Sequence, residues 1–225
     1  MKKNLIASLF ILTIAFTAGF SFAQKPGSPF KGVINYKVSY PDSKMEANQQ
    51  AMLPQSLKVS LYGNKAKIEV AMASLNQTIL MDSDQKTTTV LLDMMGQKVA
   101  MKPNKKAERP DAKEPVVKIL PETKEIAGFL CKKAEISFGD EKSKGTPLIV
   151  YFTEAIGNNK IFYENEYRTL QGIPMEFQYK MQGMSMLLTA SSVEKGKVTN
   201  RDFEVPSDYK EMTPEQLREM FGGGK

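Results

Sequence analysis

Three groups of residues in this chain have types and spacing that could do chemistry. The first is Cys131, the only thiol in 225 residues, flanked by Lys132 and Lys133. A lone thiol can be redox-active or bridge to another chain. There is no histidine anywhere in the chain to activate it. Neighbours on a strand point to opposite faces, so the two lysines are not expected to touch the sulfur. Cys131 reads as a buried structural cysteine. The second is Asp82 and Asp84, spaced like the first two ligands of a calcium loop. Lys86 occupies the next ligand position and the required glycine is missing, so the segment reads as a polar turn. The third is Glu164 and Glu166, a carboxylate pair of the kind glycoside hydrolases use. With 25 acidic residues such pairs arise by chance.

The absences weigh more than these candidates. Without histidine there is no Ser/His or Cys/His nucleophile pair and no imidazole metal ligand. One cysteine makes neither an intramolecular disulfide nor a thiolate zinc site. No catalytic residue, metal site or cofactor is expected, and the chain is read as a non-enzyme. Its net charge of +6 is carried almost wholly by lysine, with arginine only at 109, 168, 201 and 218. Nucleic-acid readers favour arginine forks on clustered basic stripes, so no nucleic-acid partner is expected.

Lys2 and Lys3 precede an apolar run from Leu5 to Phe16, and Ser21-Phe22-Ala23 places small residues where a signal peptidase reads. This predicts a signal peptide over residues 1–23, cut after Ala23 to leave Gln24 as the new N-terminus. The run is short for a membrane span. No later segment is long and apolar enough to cross a bilayer, so no transmembrane segment is expected in the mature protein. Residues 24–29 form a flexible lead, and 30–225 a single domain.

Strand signals dominate that domain. Ile34, Tyr36, Val38 and Tyr40 alternate with polar residues. Gly63-Asn64 predicts a hairpin pairing Tyr62 with Lys65, Leu61 with Ala66, Val59 with Ile68 and Leu57 with Val70, apolar on one face. On the other face Lys58 meets Glu69. Gln182-Gly183 predicts a second hairpin, pairing Met181 with Met184, Tyr179 with Met186, Phe177 with Leu188 and Met175 with Ala190. Further strands are expected at 77–81, 87–92, 97–101, 116–120, 125–130, 132–138 and 148–152. Residues 102–115 read as a long loop, 139–147 as a charged turn, and 155–170 as an irregular loop or short helix. Ser43 and Glu46 have capping-box spacing before a short helix that Pro54 stops. Thr213, Pro214 and Gln216 open a C-terminal helix with the stripe Leu217, Met220 and Phe221. Ten to twelve antiparallel strands without βαβ alternation predict a mainly β fold, one large curved sheet or open half-barrel with two short helices.

Four segments carry a family resemblance: Phe30-Lys31-Gly32-Val33-Ile34-Asn35-Tyr36, the block from Glu122 to Ala134 with Ile126-Ala127-Gly128-Phe129-Leu130-Cys131 at its centre, Gly172-Ile173-Pro174-Met175-Glu176-Phe177, and Val205 to Thr213. They resemble a family of secreted Gram-negative domains of unknown function, related to the periplasmic lipoprotein carriers LolA and LolB. The resemblance implies a LolA-like half-barrel with a hydrophobic concavity, in the periplasm or secreted. It implies a lipid, acyl chain or lipidated protein as ligand, and an envelope protein as partner. Flexible, polarizable methionines and aromatic residues on a concave face suit such a ligand. The expected lining is Tyr36, Val38, Val59, Leu61, Ile68, Val70, Phe177, Tyr179, Met181, Met184, Met186 and Leu188. The other reading is a secreted interaction or structural domain whose β core is filled and takes no small ligand.

Overall fold

The computed structural model describes residues 30–41, 43, 45–72, 75–101, 114–138, 147–157, 166–181 and 184–220. The signal segment with Ala23 and Gln24 lies outside these residues, as do Glu164, the Gln182-Gly183 turn and Phe221.

The alternation in the sequence builds strands, and the strands join one sheet. They are β1 (Lys31–Ser39), β2 (Ser56–Tyr62), β3 (Lys65–Met72), β4 (Leu75–Asp82), β5 (Thr87–Met94), β6 (Gln97–Met101), β7 (Pro115–Ile126), β8 (Phe129–Phe138), β9 (Leu148–Thr153), β10 (Ile173–Met181), β11 (Met184–Lys195) and β12 (Lys210–Met212). Their order across the sheet is β12-β6-β5-β4-β3-β2-β1-β11-β10-β9-β8-β7. Every neighbouring pair is antiparallel except β12, which runs parallel to β6. The fold is mainly β, a single large curved open sheet with few helices.

The first hairpin has the expected register throughout, and Lys58 Nζ lies 3.1 Å from Glu69 Oε2. In the second, Met181 pairs with Met184, Tyr179 with Met186 and Phe177 with Leu188.

Two boundaries differ from the sequence reading. The strand expected at 125–130 is the tip of a long β7–β8 hairpin that turns at Ala127-Gly128. Both turn residues have left-handed backbone, φ 50° and 80°. Alanine rarely adopts that conformation, so the turn carried none of the usual Asn-Gly or Asp-Gly cues. The early helix, α1, shrinks to one turn, Ala47–Gln50. Its entry is Glu46, whose N–H donates to the Gln49 side chain at 3.2 Å, rather than Ser43. The C-terminal helix, α2 (Pro214–Met220), has the full expected box. Thr213 N–H donates to Gln216 Oε1 at 2.9 Å, and Gln216 N–H to Thr213 Oγ1 at 3.2 Å.

Candidate functional site

Residues opposite one another in neighbouring strands share a face, so the register sorts side chains into an inner and an outer set. The inner face of β1, β2, β8, β9, β10 and β11 is a filled core. Ile34, Tyr36, Val38, Val59, Leu61, Phe152, Met175, Phe177, Met186 and Leu188 are buried there together. The segment between β9 and β10, which has no periodicity to read, adds Ile156, Tyr167 and Leu170 to the same core. Phe177 stacks edge-on against Tyr36 at 5.8 Å and against Tyr167 at 5.2 Å. Both phenols find a carbonyl: Tyr36 donates to Pro174 at 2.8 Å, and Tyr167 donates to Gln178. Burial raises the pKa of both, so they stay neutral donors.

The structure thus divides the expected lining. Tyr36, Val38, Val59, Leu61, Phe177, Met186 and Leu188 sit in the packed core, none more than 7% exposed. Tyr179 is 39% exposed near the end of β10. Met181 and Met184 are placed by their backbone pairing, and their side chains lie outside the described set. Ile68 and Val70 are half-buried on β3, on a different part of the inner face.

That part extends across β3, β4, β5 and β6. Ile68 pairs with Ile79, Ile79 with Val90, and Val90 with Met101. Beside this row, Leu57 pairs with Val70 and Leu92 with Val99. Ile68, Ile79, Val90 and Met101 all keep intermediate exposure, as do Val70 and Leu92. Ile68 and Met81 lean on the main core. Sequence reasoning found these strands but assigned only Ile68 and Val70 to the lining. Counting the first hairpin's register onward through two more turns would have found the rest.

β4, β5 and β6 each bury a residue on their outer face. Leu80, Leu91 and Ala100 form a small second core under Val205 and Tyr209, from the segment that follows β11. That segment is pinned by Lys98, whose Nζ lies 2.6 Å from Asp208 and over the Tyr209 ring at 5.7 Å. The hydrogen bond between them raises the Lys98 pKa and lowers that of Asp208. Further along, Phe203 leans on Tyr62. So β4–β6 are anchored from outside, and their inner aliphatic row lies on the opposite face of the sheet.

Two hollows lie elsewhere. One of about 260 Å³ is on the outer face of β1–β3, lined by Asn35, Lys58, Ser60, Lys67, Lys197 and Asp202 among others. Its charges are largely spoken for. Lys67 lies 3.0 Å from Glu69 Oε1, and Lys197 3.4 Å from Glu194. Asp202 accepts the Thr199 N–H that caps a short 3₁₀ turn, Asn200–Phe203. Burial opposes the charge of Glu69, but hydrogen bonds from Lys67 and Lys58 prevail and hold its carboxyl below the usual range. The other hollow, about 350 Å³, sits at the β12 edge against the start of α2.

The thiol and the aspartate turn are occupied structurally. Cys131 is fully buried, its thiol donates to the Phe129 carbonyl at 3.3 Å, and burial raises its pKa to about 11. Asp82 Oδ1 accepts the backbone N–H groups of Asp84 and Gln85, both at 3.1 Å, which closes the β4–β5 turn. Glu166 is exposed. Among the described residues no three histidine, cysteine or acidic side chains cluster as a metal site would need. Among them, too, no helix is long and apolar enough to cross a membrane.

Among solved structures, the LolA superfamily protein NE2245 from Nitrosomonas europaea is similar to this chain. It shares 11% identity at a TM-score of 0.31, with 82% of this chain and 94% of that one covered. No protein-family model matches the chain, and no curated protein sequence does.

Proposed function

We propose that this protein is a non-catalytic binding module of the Gram-negative cell envelope that holds an acyl chain, free or as part of a lipid or lipidated protein. The observation that carries the reading is the inner row Ile68–Ile79–Val90–Met101, with Val70 and Leu92 beside it. The row crosses four adjacent strands, about 14 Å at the usual strand spacing. Four aliphatic side chains with intermediate exposure in line offer dispersion contacts and no charge, which suits a methylene chain. The packed core lies next to the row, and the outer segment covers the opposite face of the sheet at Leu80 and Leu91. The signal-like segment ending at Ala23 supports export to the periplasm or beyond.

One observation favours the second reading, an interaction domain without a small ligand. Seven of the twelve expected lining residues are in the filled core, so any ligand is confined to the β3–β6 part of the face. Native mass spectrometry of protein purified from a bacterial periplasm separates the two. The binding module carries a co-purified lipid or fatty-acid mass that organic extraction removes. The interaction domain gives the bare polypeptide mass.

A further inference from the structure

The register sorts every charged side chain of β3–β6 onto one face. Lys65, Lys67 and Glu69 on β3, Asp82 on β4, Asp93 on β5 and Lys98 on β6 alternate with the inner residues and so lie on the outer face. The inner face of these four strands carries no charged residue. Three of its residues are polar and neutral. Gln97 is exposed at the β5–β6 turn, and Thr88, beside the β4–β5 turn, already has a partner. Gln77 is placed differently. It lies within β4, with Val70 opposite it on β3 and Leu92 opposite it on β5. Ile79 of the aliphatic row is two residues further along the same strand, about 7 Å away. Gln77 is half-buried, and no group among the described residues hydrogen-bonds its side-chain amide.

We infer that Gln77 recognises the carbonyl of an acyl chain laid on the row, and that the site selects chains in neutral ester or amide linkage over free fatty acids. The inference rests on the acyl-binding reading above and adds to it the class of ligand. An ester carbonyl that leaves water for this face needs a donor, and the side-chain N–H groups of Gln77 supply one. In an amide linkage the Gln77 side-chain carbonyl also accepts the N–H of the ligand. A carboxylate in the same place loses hydration with no cation on the face to offset the loss. The nearest lysines of these strands, Lys67 and Lys98, point to the other side of the sheet and are paired there with Glu69 and Asp208. A single polar group set among aliphatic side chains is also what fixes the direction of a ligand in an apolar site.

The test is displacement of an apolar fluorescent probe from the full chain at pH 8 by three ligands of equal chain length: methyl laurate, laurate and dodecane. The unsubstituted protein should prefer methyl laurate to laurate by at least ~10-fold. Gln77→Leu keeps the size of the side chain and removes its amide. It should weaken methyl laurate by about 3- to 10-fold and leave dodecane unchanged. Gln77→Lys places a cation on the face and should reverse the order, so that laurate displaces the probe better than its ester. This reversal separates recognition at Gln77 from the greater oil solubility of an ester. Circular dichroism of both variants checks that the fold is kept. Laurate equal to or better than methyl laurate on the unsubstituted protein, or an ester-to-alkane ratio unmoved by Gln77→Leu, would overturn the inference and leave the acyl-binding module standing. Failure of all three ligands to displace the probe would overturn the module and the inference with it. Dilauroylglycerol and an N-lauroyl peptide then distinguish the source. Tighter displacement by the first assigns a lipid and by the second a lipidated protein, each supporting the inference, and displacement by neither would overturn it.

Discussion

The Tyr36 phenol on β1 donates to the carbonyl of Pro174 at the start of β10, 2.8 Å away and 138 residues on. In the sheet β11 lies between those two strands, so the side chain passes beneath it and ties three strands from the inside. Pro174 is fully buried, and its carbonyl has no route to water if the donor is removed. Tyr36→Phe is therefore expected to cost about 1–3 kcal/mol, the price of an unsatisfied buried acceptor. Urea unfolding followed by circular dichroism checks this. An unchanged midpoint would show that the bond contributes nothing net.

Two glycines with left-handed backbone should respond differently to alanine. A Cβ on Gly128, φ 80°, would meet no atom within 4 Å, so only the backbone strain of an alanine is added, about 1 kcal/mol. A Cβ on Gly172, φ 147°, would stand 2.7 Å from the Thr153 carbonyl oxygen and 2.8 Å from the Phe152 ring. That overlap with backbone cannot be relieved by a rotamer change, and the loss should reach about 3 kcal/mol. Thermal melts of the two variants should rank Gly172→Ala well below Gly128→Ala; the reverse order would contradict the close approach.

The hairpins were legible because a period of two, a known turn dipeptide and opposed charges such as Lys58 and Glu69 all select one register. The β7–β8 tip was not, because Ala127 holds a backbone conformation its side chain disfavours, and nothing local signals it. The site was half legible for a different reason. Periodicity tells which residues share a face, but what covers that face depends on distant segments. Tyr167 and Ile156 come from an aperiodic stretch and fill the inner face around Phe177. Val205 and Tyr209 cover the outer face of β4–β6. So Met186 and Val90 look alike in sequence, yet one is core and the other keeps intermediate exposure.

Cys131 should be chemically silent while the chain is folded. Its pKa is raised by burial from 9.0 to about 11, so the thiolate is scarce near neutrality. An aromatic disulfide reagent should label it at once in urea and very slowly in buffer. The same shift has a pH consequence. The folded state holds the thiol proton more tightly than the unfolded chain, so this contribution is complete below about pH 9 and is lost as pH rises toward 11. Cys131→Ala should flatten the stability profile across that window. Rapid labelling of the native protein at neutral pH would contradict the buried assignment.

The outer segment should matter for stability rather than for ligand. Tyr209→Ala uncovers the core of Leu80, Leu91 and Ala100 and should cost about 1–2 kcal/mol, with probe uptake by the remaining folded protein unchanged. Calorimetry and probe titration on the same sample check both halves.

The most direct measurement of the central claim is titration of the folded protein with an apolar fluorescent probe, in competition with a fatty acid, for the unsubstituted chain and for Val90→Glu. Val90 has intermediate exposure, so a charge there can reach water and the fold should survive, whereas Met186→Lys buries an unpaired charge and should unfold the protein. The account predicts saturable uptake by the unsubstituted protein, displacement by fatty acid, and loss of both in Val90→Glu with its circular dichroism intact. Absence of saturable uptake by the folded, unsubstituted protein, or equal uptake by Val90→Glu, would contradict it.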